Sequence, residues 1–180
     1  MRMYKLQEVI NLSEDKKLLL KNEKDQEVGF IRREVISGYE EKHIFSYTSM
    51  DENNKVIVGI KKRGLTTFLT PRYGVITQEH EYELKDKIGN NILYFCVIGV
   101  LENKKILIEE NWDGDIEIKV EKQVVAYIRK LKKSDLFAFF QFEDQIKENS
   151  LLFSVTILMY FMFKIYNKEA EIIQYIMDWD

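Results

Sequence analysis

The chain has 180 residues, enough for one domain with a sizeable core, and its 46% hydrophobic and 32% charged content excludes wholesale disorder. A formal net charge of −3 gives no general electrostatic reason to bind nucleic acid. The single cysteine, Cys96, has no internal disulfide partner, and the single proline, Pro71, leaves little room for Pro-rich linkers.

In chain order, residues 1–148 read as strands. Charged residues follow Arg2 and Lys5 too soon for a secretory signal, so the expected location is cytoplasmic. Tyr4, Leu6 and Val9 begin a loose apolar pattern. Residues 17–21 and 28–32 flank the polar stretch 22–26 and predict a hairpin. Residues 43–50 form the next strand and 51–54 a turn, since Asp and Asn tolerate left-handed backbone. In 55–63, Val56, Val58 and Ile60 share one face. Residues 65–70 are strand-like and stop at Pro71; 73–77 and 79–84 are shorter segments. A turn at 89–91 precedes the nearly continuous apolar run 92–101, as in a strand covered on both faces. Residues 102–104 turn, 106–109 return, and Asp113-Gly114 marks a further hairpin. Residues 115–121 alternate with Ile116, Ile118 and Val120 inward, and 123–129 and 136–142 complete the set. Roughly ten to twelve short strands at such spacing predict a sandwich or barrel. A short repeat relates EKDQEVGFIRR at 23–33 to EKQVVAYIRK at 121–130 and suggests two similar halves.

Residues 149–166, NSLLFSVTILMYFMFKIY, break this pattern. From Leu151 to Phe163 there is no charge, glycine or proline. A helix apolar on every side is buried on every side, and 13 residues span roughly 20 Å, short of the ~30 Å hydrocarbon core of a bilayer. The run therefore predicts a core helix, with a C-terminal membrane anchor as the alternative. Asn149 or Ser150 suits its N-cap. Residues 168–180 could continue helically as a surface tail, set apart from a domain of residues 1–167.

Many strands followed by one hydrophobic helix that can fill their lumen is a specific order. Residues 18–33, 92–101, 106–130 and 136–142, leading into 151–163, resemble the tubby C-terminal-like superfamily, which includes the LURP-one-related proteins and phospholipid scramblases. The resemblance covers most of residues 4–166. It implies a mainly β fold: a closed antiparallel barrel of about twelve strands, in two similar halves around a C-terminal helix. It also implies peripheral binding of anionic lipid. The tail at 168–180 departs from the pattern, and Glu143, Asp144 and Glu148 are too sparse for a scramblase-like calcium site.

Basic clusters at strand ends are the candidate anionic-ligand patch: Arg32 and Arg33; Lys61, Lys62 and Arg63; Arg129, Lys130, Lys132 and Lys133. Solvated strand ends protected by lysine are the plainer reading of the same residues. His43 and His80 lie in no catalytic motif, Cys96 reads as a buried structural thiol, and Leu65 replaces the lysine a phosphate loop needs. No metal or cofactor motif is present. The expectation is a non-enzymatic binding or scaffold protein, its partner an anionic membrane lipid or another protein; an enzyme with a site assembled from scattered loop residues is the further alternative.

Overall fold

The computed structural model describes residues 1–7, 12–13, 15–64, 70–87, 94–129 and 136–177. The expected strand at 65–70 lies outside them except for Thr70, as do the turn at 89–91, the start of 92–101, and Val9, Lys130, Lys132, Lys133 and Trp179.

Twelve strands precede one helix among the described residues. They are β1 (Arg2–Gln7), β2 (Leu18–Asn22), β3 (Glu27–Arg33), β4 (Tyr39–Ser49), β5 (Lys55–Lys61), β6 (Arg72–Ile76), β7 (Glu81–Asp86), β8 (Cys96–Leu101), β9 (Lys104–Glu110), β10 (Ile116–Val120), β11 (Gln123–Ile128) and β12 (Phe137–Phe142), then α1 (Leu151–Met177). Strands β2 to β12 form an antiparallel meander, and β1 closes the ring between β12 and β2. Closure sets Tyr4 opposite Phe140 and Leu6 opposite Ala138 and leaves no unpaired sheet edge. The period-2 pattern decides the faces: Ile116 and Ile118 of β10 are buried inward, while Glu117 and Lys119, alternating with them, face out and pair with each other.

Helix α1 threads the lumen. Ser150 caps it, its Oγ accepting the Phe153 N–H at 3.2 Å. Residues from Phe153 to Met162 are all buried. Phe153 meets the rings of Tyr4 (5.0 Å), Phe142 (4.4 Å) and Tyr47 (5.7 Å), so it touches β1, β12 and β4 at once. About two turns on, Phe161 stacks on Phe45 at 4.6 Å and Tyr160 meets Phe140 edge-on. Each fully buried side chain of this size contributes about 1.5–3 kcal/mol. The helix lies closest to β4 and β5. No helix among the described residues is long and apolar enough to cross a membrane. Beyond the apolar run, α1 continues without a break to Met177, with Glu171, Ile172, Gln174 and Tyr175 exposed.

The sequence repeat has a local counterpart. Leu20 pairs with Gly29 and Lys21 with Glu27, so Val28 is the extra residue of a β-bulge; Ile118 pairs with Ala126 and Lys119 with Val124, so Val125 is extra. Val28 and Val125 are equivalent in the repeat. A larger irregularity lies in β4, where the pairing jumps from Tyr39↔Lys61 to Ile44↔Gly59. Tyr39 crosses the outer face there. Its ring covers Gly59 and Gly74, which pair with each other, and its hydroxyl donates to Glu81 at 3.0 Å.

Candidate functional site

The meander fixes two barrel ends. Every odd-numbered strand runs from the end where α1 enters to the end where it leaves. The basic clusters stand at or just past the ends of β3, β5 and β11, so the described members, Arg32, Arg33, Lys61, Lys62, Arg63 and Arg129, share the exit rim.

Most of these cations are engaged. Lys61 pairs with Glu81 (3.1 Å) and Glu83 (3.2 Å). Arg129 pairs with Asp115 at 2.6 Å and donates to Gln141. Arg33 donates to the Glu41 carbonyl at 3.3 Å. Arg32 lies over the Phe30 ring at 5.2 Å. Arg32 and Lys62 are exposed, and neither forms an ion pair among the described residues.

Arg63 is the most enclosed of the set, its side chain only 8% exposed. It donates to both Glu40 oxygens (2.6 and 3.1 Å) and both Glu169 oxygens (2.9 and 2.6 Å). These bonds, Glu169's first, raise the guanidinium pKa further above its ordinary value against the effect of burial. Burial alone would raise the Glu40 carboxyl; the bonds from Arg63 and from His43 Nδ1 (2.7 Å) outweigh it and hold Glu40 below the usual carboxylate range. The β4 irregularity puts Glu40 and His43 at the rim, and the extended helix brings Glu169 to them. Glu40, His43 and Glu169 are close enough together to ligate a metal ion, but the Arg63 guanidinium already supplies the positive charge they surround. The cluster acts as a latch that ties the helix exit to the barrel rim.

Beside it, Tyr73 donates to Asp86 at 3.0 Å; both are buried. Burial lifts the Asp86 carboxyl to about 6, against the lowering effect of the Tyr73 bond. Apolar side chains also stand exposed at this end: Val35 between β3 and β4, Trp112 between β9 and β10, and Leu136 before β12, with Ile172 and Tyr175 on the emerging helix. A cleft of about 690 Å3 beside Trp112 is lined by Tyr94, Glu109, Glu110, Asn111, Glu117 and Lys119.

Sequence reasoning missed Glu40, Glu169 and Asp86. The run Glu40-Glu41-Lys42-His43 was the available signal, since four polar residues inside a strand imply a departure from alternation. Trp112 carried a signal too, as a large apolar residue in a hairpin turn. The three chemically reactive candidates lie on different elements: His43 in β4, His80 in the exposed turn before β7, and Cys96 buried in β8 with its thiol 3.9 Å from Glu109.

The fold and rim together define a closed antiparallel barrel plugged by its own C-terminal helix, with cations and apolar tips gathered where the helix leaves. Comparison with protein-family models, curated proteins and solved structures found no match.

Proposed function

We propose that this chain is a non-enzymatic binding module of the tubby-like plan that docks peripherally on anionic phospholipid headgroups through its exit rim. One observation carries the reading: the basic strand ends and the exposed Val35, Trp112 and Leu136 fall on the same end of the barrel. A basic side chain near an anionic leaflet contributes about 1 kcal/mol, and tryptophan favours the water–lipid boundary. Arg32 and Lys62 are exposed cluster cations with no ion pair among the described residues, and Lys130, Lys132 and Lys133 belong to the same clusters by sequence. Acidic neighbours such as Glu41, Asp113 and Glu171 share the rim, so attachment is weak and sensitive to salt.

The test is flotation with vesicles of phosphatidylcholine alone or with a third phosphatidylserine, at low and high salt. The reading expects binding to the anionic vesicles only, lost in high salt and reduced severalfold by Arg32→Glu with Lys62→Glu and by Trp112→Ala. Binding to neither vesicle would overturn it and redirect the rim to a protein partner.

A further inference from the structure

We infer that the side of the lumen away from β4 and β5 is a slot for one acyl chain, opening at the entry end, opposite the rim. Because α1 leans on β4 and β5, with β11 its next neighbour, the wall of β8–β10 is left apart from it. A cavity of about 520 Å3 opens there, with an apolar lining of Leu101, Ile106, Val120, Val125, Ile146 and Leu152. This is within the usual range for a small-ligand site. At the far end a second cavity, of about 180 Å3, lies against Ile128, Tyr160 and Phe163. Leu152 lines the first, Tyr160, Phe163 and Asn167 the second; at 3.6 residues per turn these fall within roughly a quarter turn of α1.

Thr156 sits in the middle of that arc. It lies along the helix between the two linings, is fully buried, and its hydroxyl has no hydrogen-bond partner among the described residues. An unmatched buried donor is a place for an acceptor that the chain itself does not supply. It lies one helical turn, about 6 Å, beyond Leu152 at the mouth. The mouth carries both signs, Lys104 and Lys147 with Glu102 and Glu121. Paired charges suit a zwitterionic head, and a donor one turn deeper suits the ester carbonyl joining that head to its chain. The ligand is a single-chain amphiphile, either a lysophospholipid or a free fatty acid, and the mouth and Thr156 favour the former.

Native mass spectrometry and titration of the full chain with lysophosphatidylcholine or palmitate, below their micelle concentrations, test this. A one-to-one complex is expected with each chain. Val120→Trp and Val125→Trp should weaken both at least tenfold with the melting temperature kept. Thr156→Val should weaken lysophosphatidylcholine three- to tenfold and leave palmitate unchanged. Should the tryptophan variants not fold, spin-labelled stearate on the unmodified protein must broaden the methyl signals of Leu101, Ile106 and Val120. No complex with either chain, or a complex that these side chains do not sense, would overturn the slot. Equal loss of both ligands in Thr156→Val would remove the carbonyl contact and, with it, the preference for the lysolipid. Rim variants such as Lys62→Glu should leave this binding intact, so the slot and the vesicle reading fail separately.

Discussion

Asp86 is a carboxylate whose environment opposes its charge. Its pKa in the fold is about 6 against an ordinary 3.8, and burial is the dominant cause. Between those pH values the folded chain holds a proton that the unfolded chain has released. The contribution of Asp86 to stability is therefore greatest below the unfolded value and is lost as pH rises through 6. Two units at 1.36 kcal/mol each put the loss on the order of 3 kcal/mol. Asp86→Asn keeps an acceptor for Tyr73 and removes the buried charge, so it should raise the urea midpoint at pH 7.5 and leave it nearly unchanged at pH 3.5. An equal gain at both pH values would mean that ionisation of Asp86 is not the cause. Gly74 poses a steric problem on the opposite face. A Cβ there would lie 1.9 Å from the Tyr39 hydroxyl oxygen and 2.6 Å from its ring. Gly74→Ala should cost about 2–3 kcal/mol. Adding Tyr39→Leu should recover part of that, because the clash belongs to the pair; a double-mutant cycle with no coupling would place the cost elsewhere.

At the scale of elements, the hairpins carry unrelieved backbone strain. The β10–β11 turn holds Glu121 at φ 48° and Lys122 at φ 75°, and the β8–β9 turn holds Glu102 and Asn103 at 48° and 65°. Two-residue turns with both φ positive match the strand twist but favour Asn-Gly. Glu121 has a second task, its carboxylate accepting the Lys105 N–H at 2.7 Å. Lys122→Gly alone should therefore stabilise the chain by about 1 kcal/mol, seen as a higher melting temperature; an unchanged or lower one would show that the left-handed lysine is not strained. The β8–β9 turn was legible in sequence at 102–104 and the β9–β10 turn at 111–114, and so was the alternation of β5 and β10, because burial on one face writes a period of two. The apolar helix was legible for the same reason in another form. Pairing of β1 with β12 was not, since ring closure joins Met3 to Gln141, and local pattern says nothing over that distance. Nor was the latch: Arg63 and Glu169 are 106 residues apart, and Glu40 reaches them only through a strand irregularity that alternation does not foretell. The basic clusters were visible one by one; strand direction was needed to place them on one rim.

At the scale of the whole molecule, wall and plug depend on each other. A twelve-strand ring has a lumen too wide for its own inward side chains to fill, and α1 has no solvent-compatible face from Phe153 to Met162. Neither part has a buried core without the other, so unfolding should be one cooperative event. Ile157 sits near the middle of the enclosed stretch and is fully buried. Among the described residues no cation is buried in the lumen for an aspartate there to pair with, and an unpaired buried charge costs several kcal/mol. Domains of this kind have only about 5–15 kcal/mol in hand. Ile157→Asp should therefore yield a chain without a cooperative melt and with weakened β-sheet circular dichroism. Ile172→Asp puts the same change on the same helix where it emerges half-exposed, and it should melt within a degree or two of the unmodified chain. The contrast isolates enclosure from helix propensity, because both substitutions insert the same poor helix former into α1. If both variants melted alike, the ring would be standing without its plug.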